Sequence, residues 1–326
     1  MKKVLISAAC CSAVMSCGSS DDGPRSFSPT PERFAGSGEI AAIPEGEQRY
    51  NETVQGARFP ETNPELPSNS VERIFYNPAT ETLTIQGDPF DLAGTFRRAP
   101  NRDVRGFAAF ENDGGARNYL ALVRTDTEHG LAAGVVGTPF KLDNEFGGTV
   151  LARGATPVLP VNREVRHRGD YAAVRNVGRN DGADMSNSFL HRVEGQVHLS
   201  LDFFDDRPRP GIEGVITNRR NMDGTTTREV EVEVEVKEVR MPGQPTRTTT
   251  ETRQVVEEIT YADIVLRFTG IDENGNFTGV AAVGDSVVGL YDGMIAGSNA
   301  AASAGIVVIR QDNELERGAF IARAQD

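Results

Sequence analysis

Apolar and polar residues alternate along this chain with a period of two, and no segment carries a convincing long helical period. A period of two sends successive side chains to opposite faces of a strand. The sharpest case is Glu229-Val-Glu-Val-Glu-Val-Glu-Val236, with Val230, Val232, Val234 and Val236 on one face and four glutamates on the other. Val197, Leu199, Leu201 and Phe203 alternate with His198, Ser200 and Asp202 in the same way. The apolar set is expected to face a barrel interior and the polar set solvent.

Short strand-like runs recur at regular spacing, with turn residues between them. Arg73-Ile-Phe-Tyr-Asn77 and Thr82-Leu-Thr-Ile-Gln86 flank Pro78-Ala-Thr-Glu81 and read as a hairpin. Runs over 105–111, 118–124, 130–136 and 147–152 complete a small β-rich domain, residues 71–160, which Pro157 and Pro160 close. A second series occupies residues 165–326, with strands expected over 170–177, 193–203, 212–218, 227–239, 248–268, 276–283, 287–295, 304–310 and 319–323. Many short strands at even spacing are the mark of a sandwich or barrel. The fold class expected is all-β.

One hairpin is unusually long. With Gly243 at the centre of its tip, the four valines stand opposite Val256, Gln254, Thr252 and Thr250. Ala262, Ile264, Leu266 and Phe268 then fall on the valine face and are expected to line a barrel. Beyond about Val232 and Gln254 the return strand loses its apolar partners, so the ribbon should leave the rim there and project roughly 35 Å. Such an arm reads equally as a contact device or as an ornamental loop.

Between Val287 and Ile309, glycines 289, 293, 297 and 305 interrupt apolar and small residues. Glycine inside a strand marks a bulge, a bend or a close backbone approach, which a small closed barrel needs. The stretch reads as two late barrel strands joined by residues 297–303. The pattern Gly293-x-x-x-Gly297-x-x-Ala300-x-x-x-Ala304-Gly305 resembles the closing segment of the barrel domain in the transferrin-binding protein B-like surface lipoproteins. That family places an aromatic and a proline around the second glycine and a glutamate after the alanine. Here those places hold Ala296, Ser298 and Ala302. Gly169-Asp-Tyr171 is similar to the strand that opens such a barrel, and Val197 to Phe203 with Gly214-Val-Ile-Thr217 to its second and third strands. The resemblance covers about residues 165–326. It implies an eight-stranded antiparallel barrel beside a smaller β-rich handle-like domain, lipid-anchored to the outer membrane.

The N-terminus supplies an address. Lys2-Lys3 precede a short apolar run from Val4 to Val14, too short to span a bilayer as a helix. Val14-Met-Ser-Cys17 is similar to the lipobox of bacterial lipoproteins, so residues 1–16 are expected to be a signal peptide and Cys17 the acylated first residue. An ordinary secretory signal with an incidental cysteine is the alternative. Gly18 after the cysteine favours the outer membrane, since lipoproteins kept at the inner membrane typically carry aspartate there. Residues 17–70 are rich in Pro, Gly, Ser, Glu and Asn with no hydrophobic period, and are expected to act as a tether. All three cysteines lie at 10, 11 and 17, so a mature chain beginning at Cys17 has no disulfide framework.

Charge and chemistry narrow the function. The net charge is −13, which argues against nucleic acid and anionic membrane surfaces as partners. Asp272-Glu-Asn-Gly-Asn276 lacks the spacing of a calcium loop and reads as a hairpin turn. His191 and His198 are the candidate haem or metal ligands, but His198 has the polar parity of its strand and His191 precedes it; both read as surface histidines. No nucleophile elbow, phosphate loop or zinc-binding helix is present. The absence of Trp and the terminus Ala-Gln-Asp326 argue against a transmembrane barrel. No catalytic residue, metal site or cofactor is expected. The reading is a binding protein that captures an unknown protein or small-molecule ligand through its barrel and loops. Its alternatives are a lipocalin-like carrier of an apolar ligand and a structural envelope lipoprotein.

Overall fold

The computed structural model describes residues 48–49, 71, 73–77, 79–87, 95–112, 119–138, 147–177, 189–204, 210–223, 227–238, 247–258, 260–311 and 314–325. Cys17, the signal segment and most of the expected tether lie outside the described residues.

The first sheet is an antiparallel meander in chain order: β2 (Arg73–Asn77), β3 (Thr82–Gln86), β4 (Thr95–Arg98), β5 (Ala108–Asn112), β6 (Leu120–Asp126), β7 (Leu131–Gly137) and β8 (Gly147–Arg153). A two-residue strand from the expected tether, β1 (Gln48–Arg49), pairs with Ala152 and Leu151 at its edge. The hairpin β2–β3 has the bounds read from the sequence. β4 was not foreseen, because Thr95-Phe-Arg-Arg98 offers a single apolar residue. The expected run over 105–111 begins later, because Arg105 and Gly106 turn the chain with φ of 40° and 82° before β5.

The second sheet closes on itself. It contains β9 (Glu164–Val177), β10 (Phe189–Asp202), β11 (Gly211–Asn221), β15 (Ile264–Gly270), β16 (Asn276–Val283), β17 (Ser286–Ala296), β18 (Ala302–Gln311) and β19 (Glu314–Ala324). The order is β10-β9-β19-β18-β17-β16-β15-β11, and β10 pairs with β11 to complete an eight-stranded antiparallel barrel. Val197, Leu199, Leu201 and Phe203 are buried in its core, while His198, Ser200 and Asp202 are half-buried on the outside. The Asp272 turn joins β15 to β16: the Asp272 carboxylate accepts from the Asn274 and Asn276 amides at 2.9 and 2.7 Å.

The glycines of the late strands make room for rings inside the barrel. Register runs Phe277↔Gly293↔Gly305↔Phe320↔Tyr171↔Gly195 across six strands. A Cβ built on Gly293 would meet the Phe277 ring at 2.2 Å, and one on Gly305 would meet the Phe320 ring at 2.2 Å. Each ring lies over a neighbouring glycine, the pairing that lets a strongly curved sheet keep large side chains in a narrow lumen. Fully buried Tyr171, Tyr291 and Phe320 fill that lumen together with Val197, Ile216 and Val307.

The two sheets share one apolar core. Leu120 and Leu122 of β6 and Leu131, Ala133 and Val135 of β7 pack against Ala172 and Val174 of β9, Ala304 and Ile306 of β18, and Ala319 and Ile321 of β19. The opposite faces of β5 to β8 have their own core, with Phe110, Ala121, Val123, Val136 and Val150. Every residue of β7 and of β8 is therefore buried. Small residues on the barrel wall let the handle sheet approach closely, and ion pairs ring the contact. Arg124 Nη1 reaches Asp170 at 2.9 Å, Arg105 Nε reaches Glu194 at 3.0 Å, and Arg323 Nε reaches Asp126 at 2.9 Å. The Pro157–Pro160 segment is also docked: Val158 N donates to Gly297 O, and Asn299 N donates to Val158 O, at 3.2 and 2.9 Å.

The long hairpin is β12 (Thr227–Glu238) and β13 (Arg247–Glu258), a two-stranded sheet with no third strand among the described residues. Its register corrects the expectation by one residue: Val230, Val232, Val234 and Val236 stand opposite Val255, Arg253, Glu251 and Thr249. A one-residue slip changes every cross-strand neighbour. The ribbon also leaves the barrel earlier than expected, at Thr227 and Glu258, because the strand that returns to the wall is the short β14 (Thr260–Tyr261) paired with Arg219 and Arg220. Twelve paired residues extend roughly 40 Å.

Candidate functional site

A hollow lies on the outer wall of the barrel, across β9, β10, β11 and β15. It measures about 690 Å³ and is lined by outward residues Arg166, Arg168, His198, Val215, Val265 and Arg267, with Phe268 at one end. A second hollow of about 260 Å³ continues it towards Phe204, Asp202 and Glu164. Phe268 is 48% exposed, Phe204 45% and Val265 39%, a rare concentration of open apolar surface on this protein.

Phe268 is there because of a bulge. Leu266 pairs with Gly214, but Thr269 pairs with Ile212, so β15 carries one extra residue between them. An extra residue re-aims the side chains beyond it. The alternation that buries Ile264 and Leu266 in the lumen breaks, and Phe268, expected inside, stands on the outer wall. Ala262 is exposed as well, outside the regular strand.

Three arginines border the hollow, each held in place. Arg166 Nε donates to Glu164 at 2.8 Å, Arg168 Nη2 to Gln196 Oε1 at 3.4 Å, and Arg267 Nη2 to the Asp285 carbonyl at 2.7 Å. Charged and polar side chains at Arg166, Arg168, His198, Ser200, Glu213 and Arg267 occupy the outward positions of this wall. A lipid-facing wall carries an apolar band about 25 Å tall instead.

The structure does not bring the two candidate histidines together. They are seven positions apart on β10, roughly 23 Å. His198 lines the outer hollow, its pKa lowered by burial and by Arg168. His191 is half-buried near the arm end, its pKa also lowered by burial.

Two other polar clusters are built by distant strands, and spacing in the sequence gave no sign of either. At the arm end of the lumen, Glu316 is fully buried. Tyr171 OH donates to its Oε1 at 2.7 Å, and Arg175 Nη1 and Arg219 Nη2 donate to its Oε2 at 3.0 and 2.5 Å. Arg175 Nε also reaches Glu314 at 2.6 Å, and both guanidiniums lie against the Tyr261 ring. Burial alone would raise the Glu316 carboxyl, but the Arg219 and Arg175 charges outweigh it and hold it below the usual range. This network plugs the lumen.

At the handle contact, Asp126, Glu128 and His129 lie close enough to share a cation. Arg323 already satisfies both carboxylates, with Nε and Nη2 on Asp126 at 2.9 Å and Nη1 on Glu128 at 2.8 Å. The cluster is an ionic clasp between handle and barrel.

Beside it, His167 is buried. Its Nε2–H donates to the Ala300 carbonyl at 2.7 Å, and Nδ1 lies 2.8 Å from Ser303 Oγ. These bonds hold the loop in which Asn299 and Ala300 adopt φ of 58° and 54°. Burial drives the His167 pKa down to about 4. Below pH 6.5 the unfolded chain takes up a proton that the folded chain refuses, so stability falls as pH drops from about 6.5 to 4. We expect a loss on the order of 2–3 kcal/mol over that window. Denaturant titrations at each pH on wild type and His167→Gln check it; equal slopes would show that His167 does not carry the effect.

No protein-family model matches the chain, and no curated protein matches it. Solved structures of transferrin-binding protein B are similar in fold. A double mutant of that protein from Haemophilus parasuis Hp5 aligns with a TM-score of 0.40 and 13% identity, over 76% of this chain and 41% of that one. The isotype 1 protein from serogroup B Neisseria meningitidis aligns with a TM-score of 0.38 and 15% identity, over 78% and 41%. A point mutant from Actinobacillus pleuropneumoniae H49 aligns with a TM-score of 0.32 and 15% identity, over 62% and 80%. This chain thus spans about two fifths of the length of the first two. Its own strand register, given above, carries the architecture.

Proposed function

We propose that this protein is a lipid-anchored outer-membrane binding protein that captures a protein ligand on its barrel wall. The observation that carries the reading is the outer hollow, where Phe268, Val265 and Phe204 stand open beside Arg166, Arg168 and Arg267. Apolar anchors among arginines are the composition of an interface centre. Glu164, Asp202 and Glu213 stand among the arginines, so this wall suits a ligand that presents an apolar core rimmed by charges of both signs. The filled lumen speaks against the carrier reading. The Val14-Met-Ser-Cys17 sequence supports an acylated Cys17 and a tether reaching to about residue 70.

Two variants test the two halves separately. Cys17→Ser should move the protein out of the membrane fraction; retention at the wild-type level would exclude the lipid anchor. Val265→Glu with Phe268→Glu should abolish recovery of ligands from outer-membrane extracts and growth medium, without altering membrane partition. An unchanged set of recovered proteins would exclude the hollow as the binding site, and no specific recovery by the wild type would favour a structural envelope role.

A further inference from the structure

Among the described residues neither outer edge of the arm is paired, and the two edges are not equivalent. A strand edge is a row of unpaired amide and carbonyl groups ready to pair with another strand. β12 carries Glu229, Glu231, Glu233 and Glu235 at alternate positions and Lys237 near the tip, which protects its edge by charge. β13 reads Arg247-Thr-Thr-Thr-Glu-Thr-Arg-Gln-Val-Val-Glu-Glu258, without Pro, Gly or Lys. That edge carries charges of both signs rather than a run of one sign. A lone two-stranded ribbon is marginal in water, whereas three or more strands are self-supporting.

We propose that β13 pairs antiparallel with β13 of a second copy of this chain, about a two-fold axis at Thr252. The evidence is charge complementarity in that register. Glu251 stands opposite Arg253 of the second copy and Arg247 opposite Glu257, each twice by symmetry. Thr248 and Thr249 meet Val256 and Val255, and Thr250 meets Gln254. Opposite charges and β-branched residues are favourable cross-strand neighbours. Shifting the axis by one residue to 251 or 253 sets Glu251 against itself or Arg253 against itself, which is unfavourable. Self-pairing of β12 about a two-fold axis sets Glu against Glu on one face and Val against Val on the other, so its glutamate run repels itself. The β13 contact is isologous and closes as a dimer, with a four-stranded sheet in the order β12-β13-β13-β12. It requires neither the lipid anchor nor the wall hollow.

Within each arm the direct neighbours of Glu251 and Arg253 are Val234 and Val232, so reversing either charge opposes no charge in its own hairpin. Sedimentation equilibrium of the full chain in mild detergent should show a dimer. Glu251→Arg and Arg253→Glu should each weaken it by about tenfold or more. The double variant, and an equimolar mixture of the two single variants, should restore it, because opposite charges face each other again in both. Thr252→Cys should form a disulfide-linked dimer under oxidation, since directly opposed Cα atoms in an antiparallel pair lie about 4.5–5.5 Å apart, within disulfide reach. Thr250→Cys should not. A monomeric wild type, single variants that dimerise as wild type does, a mixture that stays monomeric, or open-ended assembly through β12 on β13 would each overturn the proposal.

Discussion

Replacing Glu316 with alanine will lower the unfolding free energy by about 3–5 kcal/mol, the usual cost of removing one partner from a buried ion pair. The carboxylate is the common acceptor for Arg175, Arg219 and Tyr171, and it is fully inaccessible to solvent. Without it, two guanidiniums face each other inside the barrel, and only Glu314, at the edge of the network, remains to balance them. A drop in melting temperature on the order of 10 °C follows for a chain of this size. Glu316→Gln keeps one acceptor oxygen, for either Tyr171 or the arginines, and loses the charge, so it should fall between wild type and Glu316→Ala. Equal stability of all three proteins in thermal and denaturant unfolding would show that the network contributes nothing. The sign of the pH effect is also set: a carboxyl held below its ordinary range stabilises above that range, and the contribution disappears on acidification.

Placing a carboxylate at Ala304 should separate handle from barrel. Ala304 is fully buried on β18 at the contact with the handle sheet, among Ala302, Ile306 and Ala319. Ala304→Asp forces a charge into a face built from small apolar residues, with Met294 and Ile321 as its direct cross-strand neighbours. The expected cost is about 3–5 kcal/mol, from desolvation and overpacking together. Cooperative unfolding should split into two transitions, and the segment over 154–163 should become a preferred cut site for added protease. A single transition at the wild-type midpoint would mean that the handle does not rest on this face. Ala304→Ser, of similar volume, should behave much like wild type and separates the effect of charge from that of size.

Why the sequence expectation worked where it did is physical. A period of two survives wherever one face of a strand is buried and the other wet, so β2, β3 and β16 have the bounds read from the chain alone. The late glycine-rich segment announced a barrel because narrow closed sheets need glycine opposite rings, as Gly293 and Gly305 show against Phe277 and Phe320. Where both faces are buried the alternation disappears. Leu120-Ala-Leu-Val123 gave a strand but not its two cores, since large and small apolar residues look alike to a polar/apolar pattern.

The sequence by itself therefore determined an all-β chain, the inward set on β10 and the existence of a long arm, while the eight-stranded count came from the family resemblance. The rest required tertiary structure. The bulge that turns Phe268 outward depends on how β15 matches β11, and no local residue signals it. The arm's register is one residue from the estimate because symmetric placement of a Pro-Gly tip does not fix which residues pair. Glu316 meets Tyr171 across 145 positions and Arg219 across 97, contacts that exist only once the barrel has closed. The alanines of the barrel wall read as ordinary strand residues until the handle sheet lies on them, because what selects a small side chain there is the approach of another surface.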